Sequence, residues 1–121
     1  MLRDESSIRD ILEAADRIST YIDGLTHDTF VSNLMARAAV VREMEIMGEE
    51  TKRLSSEYRD GHPEVPWKQL SRLRDLYIHA YDRIDYDRVW HGAKRLMPKV
   101  ADIIRPLIAP NDEDKLGPHG K

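Results

Sequence analysis

Arg74, Asp75, His79 and Tyr81 fall within one charged and aromatic run, Arg72-Leu-Arg-Asp-Leu-Tyr-Ile-His-Ala-Tyr-Asp-Arg-Ile-Asp85. Their types suit chemistry on a phosphodiester. A guanidinium offers a planar fork of donors to a phosphate and to the charge that builds on it during reaction. An imidazole exchanges protons near neutral pH. Asp75 stands four residues before His79, a spacing that lets a helical carboxylate hold the imidazole and favour its charged form. Together these groups suit cleavage of RNA through its own 2′-hydroxyl. His79 would move the proton and Arg74 would steady the pentavalent phosphate, with no metal and no cofactor required. The plainer alternative is a surface arginine and histidine, or an inter-helix hydrogen bond, and spacing alone leaves it open.

Helix geometry limits how one chain can use these residues. Arg74 and Tyr81 are seven positions apart and fall within about 20° of each other, whereas His79 lies about 140° from Arg74. A single straight helix therefore does not set guanidinium and imidazole side by side. Either the helix ends near His79, or a second copy faces the first across a twofold axis and supplies two arginines and two histidines to one groove. The second arrangement is the expected one.

Four amphipathic stretches must position this run. From about Asp4 to Ile22, Ile8, Leu12, Ala15, Ile18 and Ile22 recur at steps of three and four, with Asp4 and Glu5 meeting the helix dipole. Gly24 ends the stretch in a left-handed turn, and Thr26 to Phe30 reads as a short capped turn. The second helix is expected from Asn33 to Arg59 and is apolar on two sides. One stripe is Val40, Met44, Met47, Leu54 and Tyr58; the other is Leu34, Ala38, Val41 and Gly48. Such a helix is central to a bundle or shared with a partner subunit. Gly48 in its interior costs up to about 1 kcal/mol relative to alanine, which suggests that another backbone comes close. Glu45 and Glu49, one turn apart, are either solvated or in contact with the arginine of the third helix.

Asp60-Gly-His-Pro-Glu-Val-Pro66 forbids a continuous helix, and Pro66 suits the first turn of the third, whose buried stripe is Trp67, Leu70, Leu73 and Tyr77. Asp85 is a good N-cap for the fourth. Its stripe runs Trp90, Ala93, Met97, Val100, Ile104 and Leu107, and Pro98 should kink it or tighten one turn. The expected fold is an all-α, antiparallel up-and-down bundle of four main helices over residues 1–109, followed by a polar, disordered tail over 110–121.

Bulk properties narrow the function. With 121 residues the chain is one domain, and with no cysteine it has neither disulfides nor a zinc–cysteine site. Its five histidines are scattered, so no metal site is expected. The N-terminus lacks the apolar core of a signal peptide and no run approaches a membrane span, so a cytoplasmic protein is expected. Net charge is −3, yet Trp67 to Lys99 carries eight Lys/Arg against four Asp/Glu. A local positive patch on an acidic protein can recruit one polyanion without coating every polyanion.

The order and spacing of several fragments add a family to this reading. They are Ile11-Leu-Glu-Ala14, Glu45-Ile-Met-Gly-Glu49, Pro63-Glu-Val-Pro-Trp67, Leu73-Arg-Asp75, His79-Ala-Tyr81 and Val89-Trp90. Over roughly Leu2 to Leu107 the chain resembles the HepT-like branch of the HEPN superfamily, the toxin half of MNT–HEPN toxin–antitoxin pairs. The resemblance implies a helical homodimer with a metal-independent endoribonuclease site at the subunit cleft. It assigns Arg74 and His79 to the catalytic pair and Asp75 to the polar residue after the arginine. It assigns Tyr81 to the tyrosine that a cognate nucleotidyltransferase antitoxin modifies with AMP, setting negative charge where RNA phosphate should bind. Ala80 and Asp82 depart from the commoner residues at their places. The expected partners are RNA, a second copy and that antitoxin, in a hetero-oligomer above the dimer. A competing expectation is a non-catalytic helical dimer that serves to bind the nucleotidyltransferase.

Overall fold

In the computed structural model the described residues are 2–79 and 82–108, and they contain helices and no strand. Tyr81 and the expected tail over 110–121 lie outside them. The bundle has four main elements, as the patterning requires. They are α1 (Leu2–Ile22), α3 (Leu34–Arg53), α5 (Trp67–His79) and a composite fourth helix. The fourth is α6 (Tyr86–His91), a π-helical turn at Gly92–Leu96, and α7 (Met97–Ile104). Two short helices, α2 (His27–Ser32) and α4 (Ser56–Gly61), sit in the connections.

Helix α3 is central: it packs against α1 on one side and α5 on the other. Its contacts with α1 run antiparallel, Tyr21 and Arg17 meeting Glu43 while Ser7 meets Glu50. Val40, Met44 and Met47 of α3 are buried with Ile11 and Ile18 of α1, Leu70 of α5, and Met97, Val100 and Ile104 of α7 in one core. Burying each such side chain contributes about 1.5–3 kcal/mol, which holds helices too short to persist alone. Of the second stripe expected on α3, Val41 and Gly48 are buried, but Leu34 is 71% exposed and Ala38 also faces outward. On α1, Ile11 and Ala14 join the buried face and Leu12 lies at its margin. Gly24 adopts φ +80°, the left-handed turn expected after α1.

Three local expectations change. The helix expected from Asn33 to Arg59 breaks at Leu54, whose backbone is extended, and restarts as α4 behind Ser55. The Ser55 side chain accepts from Tyr58 N–H, while buried Asp4 accepts from both the Ser55 N–H at 2.9 Å and its hydroxyl at 2.8 Å. The carboxylate expected at the start of α1 thus grips the joint between α3 and α4. The stretch from Thr26 to Phe30 is more than a turn: Thr26 and Thr29 form a reciprocal capping box that opens α2. At Pro98 the fourth helix widens instead of tightening. Proline has no N–H to donate and its ring crowds the carbonyl four residues earlier, so the preceding turn widens. There Met97 N–H reaches back to the carbonyl of Gly92. Among the described residues no helix is long and apolar enough to cross a membrane.

Candidate active site

The site begins with a glycine. A Cβ placed on Gly48 would lie 2.5 Å from Arg74 N, 2.9 Å from Arg74 Cβ and 3.1 Å from Leu70 O. No side chain fits there, so α5 rides directly on the α3 backbone at the turn that carries Arg74. This is the close approach that an interior glycine suggests.

That contact fixes which α3 residues flank Arg74. Glu49 Oε1 takes the Arg74 Nε at 2.6 Å, and Asp75 Oδ1 lies 3.5 Å from Arg74 Nη1. Lys52 Nζ donates to Asp75 Oδ2 at 2.7 Å, and Arg53 approaches Glu49 at 3.9 Å. Of the two glutamates one turn apart, Glu49 reaches the arginine, whereas Glu45 pairs with Arg42 at 3.4 Å. The side chains of Arg74, Glu49, Lys52 and Asp75 are 37–51% exposed, so solvent screens them and each pair stabilises the fold by at most about 1 kcal/mol. Their effect is orientation. Nε and Nη1 of Arg74 make the nearest approaches to carboxylates, and the side chain is still 37% exposed. The guanidinium is oriented by its neighbours and stays open to a phosphate.

The expected hold of Asp75 on His79 takes another form. Asp75 hydrogen-bonds to Lys52, and that bond above all keeps its carboxyl below the usual carboxylate range, with Arg74 and His79 adding smaller electrostatic contributions. It is an ionised acceptor that steadies Arg74 from one side. His79 is the last residue of α5 and is exposed, with no hydrogen bond to Asp75. The described residues bring Arg74, Asp75, Glu49 and Lys52 together and leave His79 beyond them at the helix end; Tyr81 lies outside the described residues.

A hollow of about 380 Å³ opens beside Arg74, bordered by Arg42, Glu45, Ile46, Glu49 and Ile78. Its charges are mixed and paired, and Ile78 at its rim is 38% exposed. Among the described residues no cluster of three or more His, Asp or Glu side chains is arranged to hold a metal ion. Lys52 is the site residue that the sequence reading missed. Its signal was present: once Gly48 marks the line of contact with α5, the residue one turn further on that line faces the same helix.

Comparison with known proteins identifies the family. Residues 11–107 match the family described as HepT-like, Ribonuclease HepT-like. The chain is 37% identical over 91 residues to a Methanocaldococcus jannaschii protein named "Putative RNase MJ1380", a match covering 75% of this chain and 84% of that protein. It is 32% identical over 93 residues to the "Probable ribonuclease HepT" of Thermococcus cleftensis, covering 77% of this chain and 84% of that one. It is 30% identical over 98 residues to "Putative RNase TTE0752" of Caldanaerobacter subterraneus subsp. tengcongensis, covering 81% and 88%. No solved structure matches the chain.

Proposed function

From the premise that this chain belongs to the ribonuclease HepT-like family, we propose that it is a metal-independent endoribonuclease, the toxin of a toxin–antitoxin pair. The observation that carries the reading is the part-exposed Arg74 guanidinium, oriented by Glu49 and Asp75, on the same helix that ends in exposed His79. Arg74 binds the scissile phosphate and steadies its pentavalent charge. His79 takes the proton from the 2′-hydroxyl as O2′ bonds to phosphorus and the P–O5′ bond breaks. A proton returned to O5′ releases the downstream strand and leaves a 2′,3′-cyclic phosphate.

A twofold dimer completes the site, because one helix separates Arg74 from His79 by about 140° while a facing copy supplies the second pair. One imidazole then accepts the proton and the other donates. Exposed Ile78, on the segment between Arg74 and His79, supports pairing at this end of α5. Modification of Tyr81 with AMP by a cognate nucleotidyltransferase would switch the enzyme off by adding negative charge where the RNA phosphate should bind.

Purified protein and its His79→Ala variant, compared on mixed cellular RNA with chelator present, test the reading. Loss of the general acid–base group should slow cleavage by about 10²–10⁴. Equal residual cleavage by both proteins would overturn it. A mass increase in units of AMP on incubation with the nucleotidyltransferase and ATP, absent in Tyr81→Phe, tests the control step.

A second reading, a non-catalytic dimer that binds the nucleotidyltransferase, is favoured by one observation. Leu34 and Met35, at the start of α3, are 71% and 85% exposed, an apolar surface that RNA chemistry does not use. A chain that cuts no RNA yet co-elutes with the nucleotidyltransferase, and loses it on Met35→Glu, would establish this reading over the first.

A further inference from the structure

A second concavity lies on the other side of α5 from Arg74. It is an open groove of about 910 Å³ between α5 and the composite fourth helix. Its charged lining is one-signed: Lys68 and Arg72 from α5, and Arg88, Arg95 and Lys99 from the facing helix. All five are exposed, and none forms an ion pair among the described residues. The cations on the Arg74 side are arranged differently. Arg42, Lys52, Arg53 and Arg74 each meet a carboxylate.

The nearest acids of the fourth helix are already engaged. Asp85 accepts from the Asp87 and Arg88 N–H groups as an N-cap. Asp87 bonds to His27 and lies 3.7 Å from His91. Five unpaired cations facing one space make a positive field that a bound polyanion neutralises. Between them the floor is apolar, formed by Leu73, Leu76 and Leu96.

The groove is also in register with the chemistry. On α5, Lys68, Arg72 and His79 fall within about 40° of one another, and Lys68 and His79 are separated by roughly 16 Å of helix. A strand laid along the cations of α5 therefore continues to His79. Resting on the ribonuclease reading of Arg74 and His79, we propose that this groove binds the single-stranded RNA that flanks the cleaved bond. Its cations take the phosphates and its apolar floor takes the faces of unstacked bases. A charged rim around an apolar bed is the combination by which single strands, rather than duplexes, are held.

The test is binding of a dye-labelled 2′-O-methyl oligonucleotide of about twelve nucleotides, within the range one such surface spans, followed by fluorescence anisotropy with chelator present. The 2′-O-methyl group removes the attacking hydroxyl, so binding is read apart from cleavage. The Arg72→Glu/Arg95→Glu/Lys99→Glu chain should bind at least about tenfold more weakly than the wild type. The corresponding triple glutamine chain should lower the slope of log affinity against log salt by about 2, since each lost phosphate contact on a single strand removes about 0.7. Neutralising Arg3 and Arg105 to glutamine, neither of which lines the groove, should leave binding as in the wild type.

If the groove variants bind as the wild type does while the wild type cuts RNA, the groove proposal fails and the ribonuclease reading stands. Groove-dependent binding by a wild type that cuts no RNA would sink the ribonuclease reading and leave the groove as an RNA site. A triple variant that loses binding to poly-L-glutamate but keeps its RNA affinity would overturn the proposal in favour of an acidic protein surface.

Discussion

Gly48 and Arg74 share one point of backbone contact between α3 and α5: a Cβ on the glycine would sit 2.5 Å from the arginine's amide nitrogen. The consequence for Gly48→Ala can be weighed. Alanine is favoured over glycine in a helix interior by about 0.5–1 kcal/mol. Overpacking against a backbone that cannot yield costs about 1–3 kcal/mol. The second effect wins because the obstructing atoms are main chain, not the end of a flexible side chain. Gly48→Ala should lower the urea midpoint, corresponding to a net loss of up to about 2 kcal/mol of stability. It should also lower ribonuclease rate under conditions where the protein remains folded, since the displaced turn is the one that carries Arg74. Unchanged stability and rate would show that α5 can shift freely.

Glu49 and Asp75 hold Nε and Nη1 of Arg74, and that makes the arginine hard to replace by another cation. Lysine offers a point charge and no fork. Arg74→Lys should reduce cleavage by about 10²–10³, as for loss of one aimed donor in a transition state. Glu49→Gln should lower the rate by a smaller factor, with little change in stability because the pair is solvent-screened. Single-turnover rates on one RNA at saturating enzyme separate the two. A lysine variant as fast as the wild type would mean that charge alone suffices at Arg74.

Much of this arrangement could be read from the chain and some could not, for physical reasons. The glycine in an otherwise apolar helix announced the close approach of α5, and the proline and glycine run from Asp60 to Pro66 announced the break before it. The second break, at Leu54, was masked because Leu54 and Tyr58 continue the spacing of a single helix. What splits that helix is Asp4, fifty-one residues from its partner Ser55, and no local pattern carries such a contact. The same limit applied to Asp75. Its spacing pointed to His79 on its own helix, but a lysine on the neighbouring helix stands closer and forms the stronger bond. Local spacing names the candidates, and tertiary packing chooses between them.

Asp4 should govern acid stability. Its carboxyl lies below the usual carboxylate range, chiefly because the Ser55 N–H bonds to it, with the Ser55 hydroxyl adding to the effect against the opposing effect of burial. A lowered native value means that the stabilisation is fully present above the unfolded value, near 3.8, and is lost as pH falls through the native one. Asp4→Asn keeps the shape but removes the charge. It should be less stable than the wild type at neutral pH by about 1–3 kcal/mol, the scale of a hydrogen bond to a charged group. The two proteins should converge at low pH. Chemical denaturation at a series of pH values checks this, and parallel curves would show that the Asp4 charge contributes nothing to the α3–α4 joint.

His27 should act in the opposite direction. Its ring lies between two carboxylates, Nδ1 at 2.9 Å from Asp28 and Nε2 at 2.6 Å from Asp87. The second contact ties α2 to α6 across the entrance to the fourth helix. Hydrogen bonding to Asp28 first, and then to Asp87, raises its pKa above the ordinary 6.5, against a small opposing effect of desolvation. A raised native value gives stabilisation that is fully present below 6.5 and is lost as pH rises through the native value. The wild type should therefore lose stability as pH rises from 6.5 through the native value. His27→Gln, which hydrogen-bonds without titrating, should be flatter there and should meet the wild-type curve once His27 is neutral. Because the pair is exposed, added salt should shrink the difference. Both carboxylates contribute, so Asp28→Asn and Asp87→Asn should each flatten part of the pH dependence. An Asp87→Asn chain with the wild-type profile would place the coupling within α2 alone.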